Sequence, residues 1–167
     1  MEKIERPIIR IPLTKTEIIF EMISLAGLFV NVFLIAYYWS GLPERVPGHF
    51  GINGRPDMWS GKASLIILPV VSIFLYALLT LVRRKPQGIN YLVKITGDNA
   101  EKQYRLVRRF LSVIKIEIIW VFAFINWIAI KVAFGQCNGL GILFLPLFLI
   151  LVFGTIGIYI NKSSNTG

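Results

Sequence analysis

Cysteine and histidine each occur only once among the 167 residues of the chain. A single cysteine, Cys137, excludes an intrachain disulfide and a cysteine-based zinc site. We interpret Cys137 as a small packing residue and not as a nucleophile, because the one histidine, His49, lies about ninety residues away in sequence. One histidine with one nearby carboxylate is a weak metal site, so we expect no bound metal and no other cofactor.

Charged residues are also scarce, at 16% of the chain, whereas soluble domains carry about 25%. Hydrophobic residues make up 55%, the mean hydropathy is +0.66, and the apolar residues occur in long blocks. This composition is typical of an integral membrane protein. The net charge of +9 could indicate nucleic-acid binding. In a membrane protein, however, excess Lys and Arg usually lie in cytoplasmic loops, so we expect a bilayer and no nucleic acid as partner.

Four segments have the roughly 20 mostly apolar residues that a membrane span requires. They lie at about 18–39, 63–82, 111–132 and 140–160. The sequence therefore predicts an all-α polytopic fold with four transmembrane helices, forming a single membrane domain over residues 1–167. A polar loop at 40–62 and a basic loop at 83–110 connect the first three spans.

The distribution of basic residues predicts the orientation. Four precede the first span and eight follow the second, whereas three follow the first and one lies at the end of the third. By the positive-inside rule, both termini of this multi-pass protein are cytoplasmic and the 40–62 loop is external. Tyr37, Tyr38, Trp39 and Trp59 would then lie at the outer membrane interface, where aromatic side chains are enriched.

The external loop contains the stretch "GLPERVPGHFGINGRPDMWSGK" at residues 41–62. Asn53-Gly54 predicts a two-residue hairpin turn, because both residue types accept positive φ. The apolar residues Phe50, Ile52, Met58 and Trp59 would give the loop a small core of its own. We therefore expect a compact, ordered cap, with a small β-hairpin allowed by the turn. The residues expected to hold it are Pro43, Pro47, Phe50, Gly54, Pro56 and Trp59.

Four polar residues of this loop are candidates for binding an external ligand or a protein partner: His49, Asn53, Asp57 and Lys62. A histidine near a carboxylate can also perform acid–base chemistry. The alternative is structural, with a His–Asp or Asp–Lys hydrogen bond holding the loop. Since no further reactive groups accompany them, we assign no catalytic residue.

The stretch "LPERVPGHFGINGRPDMWSGK" resembles a bacterial membrane family known only as domain of unknown function sixteen forty-eight. The matching signature is a proline pair, His-Phe, Asn-Gly, Pro-Asp-x-Trp and a nearby Lys. The later "INYLVKITGDNAEKQYRLVRRFL" is similar to the region that follows in that family, so the resemblance covers about residues 25–110. The same module forms the N-terminal part of SdpI-type immunity proteins, which protect Gram-positive cells from a secreted toxin. The resemblance thus implies a multi-pass protein of a bacterial plasma membrane, with a role in immunity or signalling.

The basic loop predicts a helix that runs unbroken into the third span. Asp98 lies three residues before Glu101, which indicates a capping box. Lys102, Arg105 and Arg109 then share one helical stripe, with Arg108 beside it. We interpret the stripe as a contact with anionic lipid headgroups, and a docking face for a cytoplasmic regulator is the alternative.

Polar residues within the spans occur in pairs at matching depth. Glu21 and Glu117 lie near the starts of the first and third spans, and Asn31 and Asn126 lie about ten residues further along. This pattern predicts that these two spans are neighbours with facing polar groups. Ordinary helix–helix hydrogen bonding, or Glu117 reaching Lys115 or an arginine, is the alternative.

The sequence thus favours a non-catalytic membrane protein that binds an external peptide through its cap, in immunity or in sensing. Two alternatives stay open. An accessory subunit of a transporter or larger membrane complex would have a membrane protein as its partner. A membrane enzyme acting on lipid or peptide would require a cluster of reactive groups at one depth. The sequence does not predict the oligomeric state.

Overall fold

The structure is a computed structural model that describes residues 6–166. Lys3, one of the basic residues used to predict the orientation, lies outside the described residues. The elements, in chain order, are α1 (Lys15–Tyr38), β1 (Arg45–Phe50), β2 (Pro56–Gly61), α2 (Ile67–Arg84), α3 (Ala100–Ala133) and α4 (Phe144–Ser164). Short 3-10 turns cover Lys62–Ile66 and Pro86–Gly88. Across the described residues, four helices are long and apolar enough to cross a membrane, and an antiparallel β1–β2 hairpin lies between the first two. The predicted fold class is confirmed.

Capping chemistry explains where α1 begins. Thr14 is the N-cap, and its hydroxyl accepts a hydrogen bond from the Glu17 amide at 3.2 Å. The Glu17 carboxylate accepts one in return from the Thr14 amide at 2.8 Å, which completes a capping box. The capping box predicted for α3 is wrong. Asn99 precedes that helix, and its side chain instead bonds back to the loop at Thr96 and Lys94.

Helix α3 is the centre of the bundle. It runs unbroken for 34 residues, as predicted, and is therefore about 51 Å long, well beyond the roughly 30 Å of a hydrocarbon core. Helices α1, α2 and α4 all pack against it, and α1 does so most extensively. Helix α4 buries almost nothing within the chain except Ser163, so its apolar surface is available to lipid.

The hairpin is seated on one end of the bundle, which we call the hairpin end. Val46 is fully buried and packs with Leu42 and Leu65 against residues of α1 and α3. Phe50 packs at the edge of this cluster. The predicted apolar set is otherwise wrong, because Ile52, Met58 and Trp59 are exposed. The side chains that anchor the hairpin come from its base and not from its tip.

At the opposite end, the segment before α1 packs against the loop between α2 and α3. Tyr104 is fully buried there, and its hydroxyl donates a hydrogen bond to the Pro7 carbonyl at 3.0 Å. The Tyr91 hydroxyl donates to the Pro86 carbonyl at 2.9 Å, and burial raises the pKa of Tyr91 above its ordinary value. Arg6 donates hydrogen bonds to the carbonyls of Gln87 and Ile89. This end of the chain is therefore folded onto the bundle.

Candidate functional site at the hairpin end

The two hairpin strands are joined by a five-residue loop, Gly51–Arg55, and not by the predicted two-residue turn. Within residues 6–166, only glycines have positive φ, so Asn53 does not adopt the conformation that the predicted turn requires. Its side-chain oxygen instead accepts a hydrogen bond from the Arg55 amide at 3.0 Å. Gly54, at φ 75°, supplies the left-handed residue. Asn53 therefore has a structural role within the loop, and its role in ligand binding stays a prediction.

His49 and Asp57 face each other across the hairpin. The His49 Nδ1 atom lies 2.6 Å from the Asp57 Oδ1 atom, and the two side chains are 61% and 52% exposed. An ionised carboxylate can only accept, so Nδ1 carries the shared proton and Nε2 is left for a second contact. The ladder is irregular on either side of His49. The structural contact that the sequence offered as an alternative is therefore present, and both groups are also open to a ligand.

Lys62 is engaged at the base of the hairpin. Its Nζ atom lies 3.0 Å from Glu44 Oε1 and 5.7 Å from the centre of the Trp39 ring. Its backbone amide also donates to the Glu44 carbonyl at 3.1 Å. The partner of Lys62 is therefore Glu44 and not Asp57, the partner predicted from the sequence. These contacts close the hairpin where it meets α1 and α2.

A cavity of about 330 Å³ lies beneath β1, between the first turns of α2 and α4 and over the face of α3. We call it the hairpin cavity. His49 and Phe50 line it from above, and Asn126 lines it from α3. The Ser64 hydroxyl also borders it and is buried, with no hydrogen-bond partner among residues 6–166. The cavity thus combines apolar walls with a few polar groups, which is typical of ligand pockets.

The hairpin tip also contacts the linker between α3 and α4. The Leu140 amide donates a hydrogen bond to the Gly54 carbonyl at 2.7 Å. A Cβ atom at Gly54 would lie 2.4 Å from the Gly141 carbonyl oxygen, and one at Gly139 would lie 2.1 Å from the Gly54 carbonyl oxygen. Side chains are therefore excluded at both positions. This close backbone contact connects the hairpin tip to the linker between α3 and α4.

Below the cavity, three polar side chains form a buried layer across the helices. The Asn126 amide donates to Asn31 Oδ1 at 2.7 Å, and the Asn31 amide donates to the Ser72 hydroxyl at 3.3 Å. Asn126 also donates to the Leu65 carbonyl at 3.3 Å. The sequence pattern predicted that Asn31 and Asn126 face each other. It did not predict the contact with Ser72, because that contact depends on how α2 packs against α1.

Glu21 belongs to a charged cluster near the opposite end of the bundle. Its Oε1 atom lies 2.6 Å from Lys115 Nζ and 3.0 Å from Arg83 Nη1, and its Oε2 atom accepts from the Tyr76 hydroxyl at 2.9 Å. Lys115 is almost fully buried. Glu117 is not part of this cluster, because its carboxylate accepts a hydrogen bond from Thr155 of α4.

Arg108 differs from the surface position predicted for it beside the basic stripe. Its guanidinium is buried, lies 2.8 Å from Glu17 Oε1, and donates to the Ile11 carbonyl at 2.8 Å. Arg105 pairs with Glu101, one helical turn earlier, at 2.8 Å. The stripe available to lipid is therefore narrower than predicted.

Within residues 6–166, no group of three or more metal-ligating side chains is found.

Comparison with known proteins relates part of this chain to a protein family and to an archaeal protein. Residues 26–73 match the model of a family described as a domain of unknown function (DUF1648). An uncharacterized protein of Archaeoglobus fulgidus is 33% identical over 105 residues, covering 52% of this chain and 57% of the relative. No solved structure matches the chain. Because this relative is archaeal, the bacterial origin expected from the sequence stays a prediction. The matched segment comprises most of α1, the whole hairpin and the start of α2, and the resemblance to DUF1648 is confirmed for residues 26–73.

Proposed function

We propose that this multi-pass membrane protein recognises an amphipathic peptide at its hairpin end and acts in immunity or in sensing. The observation that supports this is the placement of an exposed His49–Asp57 pair beside the hairpin cavity. A peptide could place an apolar side chain in the cavity and a polar group against His49 Nε2. The hairpin then faces the outside of the plasma membrane and both termini face the cytoplasm.

Binding is favoured over catalysis by the composition of the site. His49 and Asp57 form one acid–base pair, but both are largely exposed to water. Catalytic sites usually exclude water and bring several reactive groups together. The other polar side chains that line the hairpin cavity are Ser64 and Asn126, and the Asn126 amide already donates a hydrogen bond to Asn31. A recognition surface requires only fixed geometry, which the seated hairpin supplies.

The experiment separates a binding role of this pair from a structural one. Even when both groups are charged, an exposed pair of this kind contributes only about 0–1 kcal/mol to stability. His49→Gln and Asp57→Asn should therefore keep wild-type membrane abundance. Cells that produce each variant are exposed to a panel of secreted amphipathic peptides, and survival is measured beside abundance by immunoblot. We expect the wild-type protein to protect cells against at least one peptide. Each variant should protect about tenfold less, because it lacks one hydrogen bond to a charged group.

Ile52→Thr is the matched control, because Ile52 lies at the exposed hairpin tip and does not line the cavity. It should protect as the wild-type protein does. Equal protection by all variants at equal abundance would leave the pair with only a structural role. Absence of protection, together with stoichiometric co-purification of another membrane protein, would favour an accessory subunit.

A further inference from the structure

A second cavity lies at the end of the bundle opposite the hairpin. Its volume is about 540 Å³, within the roughly 300–1,000 Å³ of small-molecule pockets. It is enclosed by the segment before α1, the last turns of α2 and the first half of α3. Four arginines line it: Arg10, Arg83, Arg84 and Arg108. Among residues 6–166, Glu21 is the one acidic side chain in its lining. We call it the arginine cavity.

The buried charges around this cavity do not balance. Arg83 and Lys115 share the single carboxylate of Glu21, at 3.0 and 2.6 Å, and Arg108 pairs with Glu17 at 2.8 Å. Among residues 6–166, these three buried cations therefore have only two carboxylates as ion-pair partners. A cation removed from water without a counter-charge is costly, and a bound anion removes that cost.

Two further arginines in the lining increase the positive charge of the cavity. Arg10 and Arg84 are exposed and line the cavity from the N-terminal segment and from the last turn of α2. A guanidinium presents planar paired donors that match the oxygens of a phosphate group. Arginines on separate elements can therefore converge on one anion between them.

The segment before α1 gives the cavity one apolar wall. Ile8, Ile9, Ile11 and Leu13 line it, and Ile8 and Leu13 are largely exposed. The cavity lies where α1 begins and α2 ends, at the edge of the membrane-spanning region. Charged headgroups meet acyl chains at this depth in a bilayer. An apolar wall beside converging arginines thus suits a phosphate that carries a hydrocarbon chain.

We propose that the arginine cavity binds the phosphate group of an anionic phospholipid. The chemistry recognised is a phosphate ester, and free inorganic phosphate presents similar oxygens without the hydrocarbon. The proposal is independent of the peptide recognition proposed for the hairpin end. It also differs from the lipid contact predicted for the stripe on α3, because its arginines come from three elements and surround a cavity.

The test uses the full-length protein purified in detergent. It is mixed with phosphatidylglycerol and phosphatidylcholine in equal amounts, and native mass spectrometry measures the lipid that is retained. The test variant is the double substitution Arg10→Gln with Arg84→Gln, because both residues are exposed and the buried pairs stay intact. The matched control replaces two lysines, Lys85→Gln with Lys94→Gln, because both are exposed at the same end, their loss removes the same charge, and neither lines the cavity.

We expect the wild-type protein to retain phosphatidylglycerol preferentially and the double variant to lose that preference by about tenfold. The lysine control should change it by less than about twofold. A second arm adds millimolar inorganic phosphate and measures thermal stabilisation. Stabilisation that depends on Arg10 and Arg84, without lipid preference, would support the site with free phosphate as its source. Equal losses in the double variant and the control, or neither lipid preference nor phosphate stabilisation in the wild-type protein, would overturn the proposal.

Discussion

Replacing Glu21 with glutamine should destabilise the protein strongly, because one carboxylate neutralises two cations. Lys115 is 1% exposed and lies 2.6 Å from Glu21, and Arg83 is 7% exposed and lies 3.0 Å away. Removing one partner of a buried ion pair costs about 3–5 kcal/mol. Since the Glu21 side chain itself is 19% exposed, we take the lower value, about 3 kcal/mol. For a chain of this length, that loss lowers the melting temperature by roughly 6–12 °C.

Lys115→Met should cost less, about 1 kcal/mol, because Glu21 keeps Arg83 and Tyr76 as partners. The double variant should lose less than the sum of the single losses, since the lysine that Glu21→Gln leaves unpaired is then absent. Thermal unfolding of the purified proteins in detergent measures all three. Glu44→Gln is the control, because Glu44 is 87% exposed and its pair with Lys62 contributes less than about 1 kcal/mol. If Glu21→Gln and Glu44→Gln melt at the same temperature, the reasoning is wrong.

Two further predictions concern the orientation and the hairpin tip. In a Cys137→Ala background, Ile52→Cys should react with an impermeant maleimide in intact cells, whereas Asn90→Cys should react only after lysis; the opposite pattern would invert the proposed orientation. Gly54→Ala should lower the free energy of unfolding by at least about 1–3 kcal/mol, because the φ of 75° is strained for alanine and the new Cβ atom would meet the linker backbone at 2.4 Å. The control Gly61→Ala has open space at that position, and equal losses in both variants would contradict the tip contact.

The membrane helices could be predicted because bilayer thickness sets the length of an apolar segment. The packing of α1 against α3 could also be anticipated, since Asn31 and Asn126 lie at matching depth and a buried amide requires a partner. The hairpin was predicted from its turn residues. Its five-residue loop was not, because the side-chain bond from Asn53 to the Arg55 amide competes with the simpler turn.

The partners of Glu21 and Glu117 could not be predicted from the sequence, because they depend on how each helix is rotated about its axis. Helical geometry alone argues against the proposed pairing of Glu117 with Lys115, since residues two apart do not face each other on a helix. Lys115 does indicate a buried ion pair, because a cation inside an apolar segment requires a nearby carboxylate. Choosing Glu21 of α1 as that carboxylate required the packed bundle.

The position of α3 at the centre of the bundle has a consequence for biogenesis. Helices α1 and α2 leave the ribosome before α3. Glu21 and Asn31 lie on α1, and Lys115 and Asn126, which complete their polar contacts, lie on α3. Until α3 is inserted, the first pair of helices holds these groups in the membrane without those partners. Maturation of the first helix pair therefore depends on the arrival of α3, and a chain truncated before α3 would present an incomplete polar layer to the cell's membrane quality control.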